Sequence, residues 1–353
     1  MRLTVKEIRQ ATADSVVLTF EKPTESFNYH SGQYLTVVLD IDGESVRRAY
    51  SLCSSPFVDE FPSIGVKRVK GGKVSNYIND NIRIGSEIEV LPPMGNFKCE
   101  VESNGQRSIV LMGGGSGMTP LISISKTVLS QETASVVTLV NVNLNKENSL
   151  FVDDLLHLKT EYGVRFRVLD HFVEEEVITK KGLFRKEVLA QKGLPSKDTL
   201  YNYLEVLGIE SSDENVCYLC GPSGLMDSSE LALRAVGIDK SRIKRESFVA
   251  DLSKSNQEAL SFEGSSEVTI QIMGDSHVMK VQNKAILQSG LENGIEMPFS
   301  CQAGLCTACM GKCTEGVVEM EFSDGLTQEQ IEQGYVLTCV GHAKSDKVTI
   351  VFE

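Results

Sequence analysis

The chain has 353 residues, of which 41% are hydrophobic and 24% charged, and its formal net charge at pH 7 is −13. This length predicts two or three domains, because a single hydrophobic core rarely serves more than about 250–300 residues. The negative charge argues against nucleic acid or an anionic membrane as a partner. No apolar run approaches the roughly 20 residues of a membrane-spanning helix, and the start "MRLTVKEIRQ" lacks the apolar core of a secretory signal. We therefore expect a cytoplasmic protein without a membrane span.

Residues 1–102 contain short stretches in which β-branched and apolar residues alternate with polar ones. Gly, Pro, Asp and Asn separate these stretches, as they separate the strands of antiparallel proteins. Several strands at this spacing predict a closed or nearly closed antiparallel β-barrel. The predicted strands are LTVKEI, SVVLTFE, QYLTVVLDI, RAYSLCS, SIGVKRV and SEIEVLPP.

The pattern changes after residue 102, where strand-like and helix-like stretches alternate. Alternation of this kind predicts a doubly wound parallel sheet. The predicted strands are SIVLM, SVVTLVNV, VRFRVLDHF and NVCYLCG, and the predicted helices are TPLISISKTVL and SLFVDDLLHLKTEY.

The stretch GGGSGMTP (113–120) follows the first of these strands and opens a helix. Its glycines permit close approach of a pyrophosphate, while Thr119 can cap the helix and Pro120 suits its first turn. Met118 stands where the G-x-G-x-x-G fingerprint has its last glycine, so that fingerprint is not matched. A tight turn without a ligand is the alternative interpretation.

The polar stretch VADLSKSNQEALS (249–261) predicts a linker. After it, EVTIQIMG and HVMKVQ predict a hairpin, and KAILQSGLENG predicts a helix. Residues 263–353 contain 13 acidic and 5 basic residues, a balance of −8. This excess is typical either of a solvated surface or of an acidic face for a basic protein partner.

Cys301, Cys306 and Cys309 form a C-x4-C-x2-C pattern, and Cys339 stands further along the chain. This is the plant-type spacing for a [2Fe–2S] cluster, whose small neighbouring residues let backbone N–H groups approach the sulfurs. A structural zinc, which favours paired short C-x-x-C knuckles, and unliganded thiols are the alternatives. Cys313 fits no ligand position of the pattern.

Residues 263–353 resemble a plant-type ferredoxin domain, and the residues before them resemble the ferredoxin–NADP reductase superfamily. The domain order is similar to that of oxygenase reductase components of the phenylacetyl-CoA epoxidase and ketosteroid hydroxylase type. The resemblance implies a multidomain β + α/β + α+β protein. Its expected parts are an antiparallel FAD-binding β-barrel (1–102), a doubly wound NAD(P)H-binding domain (103–250) and a β-grasp-like [2Fe–2S] ferredoxin domain (263–353).

The stretches HSGQYLTV and RRAYSLCSSP match the flavin signatures of the superfamily. The resemblance implies that Arg48 pairs with the flavin pyrophosphate, a task suited to a planar, permanently charged group. It also implies that Tyr50 stacks on the isoalloxazine ring, with Ala49 beside it, and that Ser51 forms a hydrogen bond near flavin N5.

The stretch VKGGKVSNYI supplies Gly71, Gly72 and Ser75, which in the family cradle a phosphate at a helix N-terminus. Taken without the family, the same stretch is an ordinary hairpin turn. Together with Arg48 it favours FAD over FMN, which remains open.

The resemblance also implies a nicotinamide site. In relatives the cysteine at the position of Cys220 lies near nicotinamide C4, and Glu246 and Phe248 lie near the flavin and the nicotinamide. Ser51, Cys220 and Glu246 are therefore the expected catalytic residues. The loop residues expected to bind the coenzyme are Gly113, Gly114, Gly115, Gly117, Thr119, Pro120, Gly221 and Pro222.

The choice between NADH and NADPH stays open. Leu144 stands where NADPH-using relatives often carry an arginine for the 2′-phosphate, which favours NADH, but Lys146 lies close by.

Nicotinamide gives up two electrons as a hydride, whereas a [2Fe–2S] cluster takes one, so a flavin must connect them. With only 5 histidines, the chain shows no evident ligand set for an oxygen-activating iron. We therefore expect NAD(P)H-dependent electron delivery, through FAD and the cluster, to a separate oxygenase. A stand-alone reductase serving other soluble acceptors, and a redox-sensing scaffold, are the alternatives.

Overall fold

The computed structural model describes residues 1–23, 27–181, 185–190, 192–248, 265–272, 274–323 and 325–352. The chain divides into two compact units, the first formed by Met1–Val46, Tyr50–Pro93 and Phe97–Glu246 and the second by Arg47–Ala49, Met94–Asn96 and Ser247–Glu353. The linker predicted at 249–261 lies outside the described residues. Among the helices of the described part, none combines the length and the apolar character needed to cross a bilayer.

The first part of the chain forms an antiparallel barrel. Its strands are hydrogen-bonded in the order β4-β3-β6-β1-β2-β5, with the bounds β1 (Arg2–Thr12), β2 (Ser15–Phe20), β3 (Tyr34–Ile41), β4 (Glu44–Ser51), β5 (Ser63–Lys67), α1 (Lys73–Asn81) and β6 (Glu87–Val90). An antiparallel bridge between Leu52 and Ile64 connects the segment after β4 to β5, the two ends of this order. The predicted barrel and its six strands are confirmed.

Side-chain burial alternates along the barrel strands and shows which of their faces lines the core. In β6, Ile88 and Val90 are buried, whereas Glu87 and Glu89 are exposed. Since successive side chains of a strand point to opposite faces, this alternation puts one apolar face inside the barrel.

The next part of the chain alternates strands and helices. All pairings in its main sheet, ordered β13-β12-β7-β8-β9, are parallel. In chain order the elements are β7 (Ser108–Gly114), α2 (Met118–Gln131), β8 (Val136–Asn143), α3 (Val152–Tyr162), β9 (Phe166–Phe172), β10 (Val177–Lys181), β11 (Arg185–Ala190), α4 (Lys197–Val206), β12 (Asn215–Cys220), α5 (Ser223–Val236) and β13 (Ile243–Glu246).

Both faces of the parallel sheet are covered by helices. In β7, Ile109 and Leu111 join the core formed with α2 and α3, and Val110 and Met112 join the core formed with α4 and α5. A strand buried on both sides carries a continuous apolar run, which is why SIVLM is apolar almost throughout. The predicted doubly wound sheet is confirmed.

The second unit contains a mixed five-stranded sheet with helix α6 packed in its core, as expected for a ferredoxin fold. The sheet order is β15-β14-β20-β16-β18, and β14 and β20 are parallel. The elements are β14 (Ser266–Ile272), β15 (Asp275–Val281), α6 (Ile286–Glu292), β16 (Met310–Glu315), β17 (Val318–Met320), α7 (Gln328–Glu332), β18 (Tyr335–Leu337), β19 (Gly341–Ala343) and β20 (Lys347–Val351). The predicted hairpin corresponds to β14 and β15.

Candidate functional site

The four cysteines of the predicted cluster come together in the second unit. Cys301, Cys306 and Cys309 lie between α6 and β16, in a segment called here the cluster loop (301–309), and Cys339 follows β18. The thiol of Cys301 is hydrogen-bonded to those of Cys306 and Cys339, and the thiol of Cys309 to that of Cys339. These hydrogen bonds lower the pKa of Cys301 and raise the pKa of Cys306 and of Cys339, because one thiol of each pair accepts while the other donates.

The backbone of the cluster loop is arranged around these sulfurs. The N–H of Ala303 donates to Cys301 Sγ over 3.4 Å, and the N–H of Gly304 donates to Cys339 Sγ over 3.3 Å. Gly304 has a φ of +69°, and a Cβ built there would lie 2.7 Å from the ring of Phe322, so the position requires glycine. Four converging thiols with N–H donors directed at them fit a [2Fe–2S] cluster.

Cys313 stands apart from this group. It lies on β16, and its thiol faces the carbonyl oxygens of Glu315 and Gly316 at 3.4 and 3.8 Å. All nine cysteines of the chain are free thiols. Cys313 is therefore a natural control for experiments on the other four.

The glycine loop (residues 113–117) joins β7 to α2. A Cβ built on Gly114 would lie 1.8 Å from the carbonyl oxygen of Val142, and a Cβ on Gly113 or Gly117 would lie 2.3 or 2.0 Å from that of Cys220. Side chains do not approach a backbone so closely. Three of the loop's four glycines are therefore required by the packing of the protein's own backbone.

Gly115 is the exception. It has a φ of +57°, and nothing lies within 4 Å of a Cβ built on it. Its N–H donates to Asn143 Oδ1 over 3.1 Å, a contact that sequence analysis did not anticipate. Gly115 and Ser116 are partly exposed, so this is the part of the loop where an anionic group has room to bind.

Thr119 does not have the role that its position predicted. No side chain caps the first turn of α2. Thr119 is buried, its hydroxyl donates to the carbonyl of Ser116, and its methyl group lies against Gly65 of β5. The prediction that Thr119 caps the helix is wrong, because the residue packs the helix against the barrel. Pro120 lies in the first turn, and the uncapped helix start remains suited to an anion.

Ser51, Cys220 and Glu246, the predicted catalytic residues, are neighbours where the barrel and the parallel sheet join. Cys220 and Glu246 are register partners at the ends of β12 and β13. Ser51 Oγ donates to Glu246 Oε2 over 3.4 Å. Ser51 and Cys220 are buried and Glu246 is partly exposed.

Burial sets the protonation of these groups. It raises the pKa of Glu246 from 4.5 to about 8, although the hydrogen bond from Ser51 acts to lower it. The carboxyl group therefore holds its proton near neutral pH. Burial, and secondarily the nearby Glu246, raise the pKa of the Cys220 thiol well above its ordinary value, so Cys220 is a neutral thiol. A strongly perturbed carboxyl group in such surroundings is typical of a functional site.

The remaining residues predicted on the nicotinamide side lie after β12 and β13. A Cβ built on Gly221 would lie 3.2 Å from the backbone nitrogen of Gly114, so the loop after β12 runs beside the glycine loop. Pro222 is exposed and immediately precedes α5. Phe248, which follows β13, is 41% exposed.

The flavin residues predicted on β4 are accessible to different degrees. Arg48 is exposed, Ala49 is partly buried, and Tyr50 is partly buried against the barrel core. An exposed guanidinium and a half-covered aromatic ring suit contacts with a phosphate and a planar ring system, respectively.

The start of α1 fits a phosphate group. Gly72 precedes the helix, no side chain caps the first turn, and that turn contains no acidic residue. Gly71 has a φ of +73° with open space in front of it, and Ser75 Oγ accepts the N–H of Val69 at 3.1 Å. An uncapped, acid-free helix start attracts anions through its N–H groups and dipole. The start of α1 by itself therefore suits a phosphate group of a bound nucleotide.

Residues that sequence analysis did not single out hold the barrel against the parallel sheet. Ser123 Oγ of α2 donates to the carbonyl of Ser54 over 2.6 Å, and the buried hydroxyls of Ser55 and Thr127 are 2.8 Å apart. Ser123 and Thr127 are polar, buried and one turn apart on α2, and their spacing is a sequence signal that could have identified them.

Comparison with known proteins agrees with these three parts. Family models match the chain at residues 2–99 (oxidoreductase FAD-binding domain), 111–230 (oxidoreductase NAD-binding domain) and 270–344 (2Fe-2S iron-sulfur cluster binding domain).

Similar proteins span almost the whole chain. It is 30% identical over 356 residues to one subunit of the 1,2-phenylacetyl-CoA epoxidase of Escherichia coli (strain K12), covering 99% of this chain and 97% of the relative. It is 34% identical over 366 residues to the ferredoxin reductase component of 3-ketosteroid-9-alpha-monooxygenase of Rhodococcus rhodochrous, covering 99% and 96%. Phthalate dioxygenase reductase has a similar fold, with a TM-score of 0.60 at 21% identity over 100% of this chain and 98% of that one.

The fold and the matched domains define an oxidoreductase that uses FAD, NAD(P)H and a [2Fe–2S] cluster. Within that class, the chain belongs to the family of oxygenase reductase components. The resemblance inferred from the sequence motifs is confirmed.

Proposed function

We propose that the protein takes a hydride from NAD(P)H in its first unit and delivers single electrons from its second unit to a partner oxygenase. One observation carries the proposal: a chain with FAD- and NAD-binding domains also gathers the thiols of Cys301, Cys306, Cys309 and Cys339 into one hydrogen-bonded group. When bound, the flavin supplies the conversion of an electron pair into single electrons, and the cluster carries these one at a time.

The chain's own residues bind and orient these groups. Arg48 and the start of α1 would hold the flavin phosphates, and Tyr50 would cover the flavin ring. The glycine loop and the uncapped start of α2 would hold the pyrophosphate of the nicotinamide coenzyme. The four cysteines would hold the cluster, with N–H donors from Ala303 and Gly304 on two of the sulfurs.

Ser51, Glu246 and Cys220 form the proposed catalytic group. Glu246 keeps a proton on its carboxyl group near neutral pH because burial raises its pKa to about 8. Its hydrogen bond to Ser51 Oγ fixes the serine hydroxyl at the end of β4. Cys220, buried beside them, excludes water without adding a charge.

We expect NADH to be the better coenzyme. Leu144, just after β8, is exposed and apolar, and the next residue, Asn145, binds Glu174 over 2.9 Å. A carboxylate at this position repels a 2′-phosphate, although exposed Lys146 attracts one. The ratio of kcat/KM for NADH and NADPH tests this expectation directly, and a ratio below one would contradict it.

The proposed partner is an oxygenase with a basic docking surface. The two relatives with 30% and 34% identity are named as parts of an epoxidase and a monooxygenase. The 13 acidic and 5 basic residues of 263–353 favour a positively charged partner. Coupled turnover with such an oxygenase is therefore expected to fall as salt concentration rises.

We also propose the bounds 1–102, 103–250 and 263–353 for the three domains, since each encloses one matched family model. We propose a cytoplasmic location, because the five cysteines outside the proposed cluster form no disulfide, which suits a reducing compartment.

Anaerobic reduction tests the proposed function. The purified holoprotein is expected to show flavin and iron–sulfur absorption, and both are expected to bleach when NADH is added. An unchanged spectrum would overturn the hydride-entry assignment. Turnover with a candidate oxygenase, compared with turnover with a dye alone, then distinguishes an oxygenase reductase from a stand-alone reductase.

A further inference from the structure

Two buried asparagines on β8 lie in surroundings that otherwise suit apolar side chains. Asn141 is 1% exposed and Asn143 is 4% exposed, while Val137 and Leu139, on the same face of the strand, belong to the apolar core with α2 and α3. Burying an amide is unfavourable unless its hydrogen bonds are satisfied. The partners of these two side chains therefore indicate what they do.

The two amides link the glycine loop to the surface through a chain of hydrogen bonds. The Gly115 N–H donates to Asn143 Oδ1 over 3.1 Å, and Asn143 Nδ2 donates to Asn141 Oδ1 over 2.8 Å. Asn141 Nδ2 donates in turn to Asp170 Oδ1 over 2.9 Å. Asp170 is the exposed register partner of Asn141 on β9. We call this series Gly115–Asn143–Asn141–Asp170 the amide relay.

Both ends of the amide relay impose the same direction. A backbone N–H only donates, so Gly115 must meet a carbonyl oxygen of Asn143. An ionised carboxylate only accepts, so Asp170 must meet the NH₂ group of Asn141. The two amides between them can satisfy both ends in one orientation alone, and the charge of Asp170 strengthens that orientation.

The relay acts on the one part of the glycine loop that backbone packing leaves free. Gly114 and Gly117 are confined by neighbouring carbonyl groups, whereas Gly115 faces open space with a φ of +57°. The hydrogen bond to the Gly115 N–H fixes the turn between β7 and α2. It thereby fixes the direction in which the N–H groups at the uncapped start of α2 point.

We propose that Asn143, oriented by Asn141 and Asp170, is a positioning residue for the nicotinamide coenzyme. It holds the turn at Gly115 so that the N–H groups at the start of α2 are correctly oriented before the pyrophosphate binds. The inference rests on the proposed function, in which this loop receives NAD(P)H. The preorganised turn lowers the conformational cost of binding, so its loss should weaken coenzyme binding more than it slows catalysis.

Steady-state kinetics of the holoprotein with NADH and ferricyanide test the proposal. We expect Asn143→Ala to raise the KM for NADH by about tenfold, the effect of losing one well-formed hydrogen bond, with kcat within about twofold of wild type. Flavin and iron contents are expected to stay at wild-type levels.

Asn143→Asp distinguishes the effect of hydrogen-bond direction from the effect of side-chain volume. Aspartate has nearly the same shape and can accept the Gly115 N–H, but it cannot donate to Asn141 and it adds a negative charge near the pyrophosphate. We expect its KM to rise at least as much as that of Asn143→Ala. A KM at the wild-type value would show that only the volume of the side chain matters and would overturn the proposal.

The exposed end of the relay gives a variant that does not disturb the core. Asp170→Ala removes the acceptor and is expected to raise the KM for NADH about threefold. Asp170→Asn keeps an acceptor, so its KM is expected to lie close to that of wild type. If Asn143→Ala fails to fold, unchanged KM values in Asp170→Ala and Asn143→Asp together overturn the proposal.

Thr138→Val is the matched control. Thr138 is also buried on β8, and its hydroxyl has no hydrogen-bond partner among the described residues. Its KM and kcat are expected to equal those of wild type. If NADH does not bleach the flavin absorption of the wild-type protein, the proposed function is refuted. If NADH bleaches the flavin but the relay variants keep the wild-type KM, only this inference is refuted.

Discussion

The glycine loop and the cluster loop are both short and rich in small residues, yet they are held in different ways. The cluster loop is organised around sulfurs, because the N–H of Ala303 donates to Cys301 Sγ in the same loop and the N–H of Gly304 donates to Cys339 Sγ, the one grouped thiol outside it. The glycine loop takes its shape from neighbouring strands, because Gly114 fits against a carbonyl of β8 and Gly115 is held by Asn143.

This difference separates two ways of building a cofactor site. A loop that contains most of its own ligands depends on a few residues close together in the chain. A loop that is shaped by the strands beneath it depends on residues far away in the sequence, such as Asp170 in the amide relay. Substitutions should therefore have local effects in the first loop and distributed effects in the second.

The largest effect is expected from Cys306→Ser. This change removes a proposed thiolate ligand, so the variant should lose the cluster and with it one-electron delivery to cytochrome c. Ferricyanide reduction by NADH should persist, because it needs only the flavin. Iron content, visible absorption and the two activities measure the result.

Cys313→Ser provides the control for that experiment. Cys313 lies on β16 and is hydrogen-bonded to backbone carbonyls, not to the four grouped thiols. The variant should keep its iron and both activities. Loss of the cluster in Cys313→Ser would contradict the assignment of ligands. Loss of flavin reduction in Cys306→Ser would contradict the proposal that electrons reach the flavin before the cluster.

The glycine loop should respond to alanine according to what lies opposite each glycine. At Gly114 a methyl group would collide with the carbonyl of Val142, so we expect Gly114→Ala to lower the free energy of unfolding by about 3 kcal/mol or more. At Gly115 the methyl group meets open space, and only the positive φ is unfavourable, which costs about 1–2 kcal/mol. Urea denaturation of both variants measures the difference. Equal costs would refute the packing explanation.

The smallest effect concerns Glu246, the register partner of Cys220 at the end of β13. Its folded-state pKa of about 8 lies above the ordinary 4.5, so the protonated form is favoured by folding. The contribution of this carboxyl group to the free energy of unfolding is therefore fully present below about pH 4.5 and is lost as the pH rises through about 8. Glu246→Gln keeps a neutral side chain, and we expect its Tm to exceed that of wild type by about 2–4 °C at pH 9, with little difference at pH 5.

Thermal unfolding of both holoproteins across this pH range checks the prediction. Ser51→Ala serves as a comparison, because the Ser51 hydrogen bond acts to lower the pKa of Glu246 and its loss should move the transition to higher pH. A Tm difference that does not depend on pH would show that the carboxyl group is not buried in its neutral form.

Much of the fold could be predicted from periodicity. The barrel strands alternate, and the parallel strands are continuously apolar, because one or both of their faces are buried. Helix α4 was not predicted, although Leu200, Tyr203 and Leu204 have helical spacing and are buried. Its polar residues between these positions obscure a pattern that spans only about two turns.

The candidate site was predictable where its chemistry lies in one short stretch. Cysteine spacing predicted which thiols the structure brings together, because Cys301, Cys306 and Cys309 stand in one short motif. Thr119 was misassigned, since a threonine near a helix start suggests a cap and only the packing against Gly65 shows otherwise. Asn143 was missed, because its importance depends on a turn 28 residues away.

A reductive titration with NADH under anaerobic conditions tests the central claim most directly. If FAD accepts an electron pair and the cluster accepts one electron, the holoprotein should take up about three electron equivalents per chain, and Cys306→Ser about two. Uptake of about two equivalents by wild-type protein with its full iron content would contradict the transfer of electrons from the flavin to the cluster.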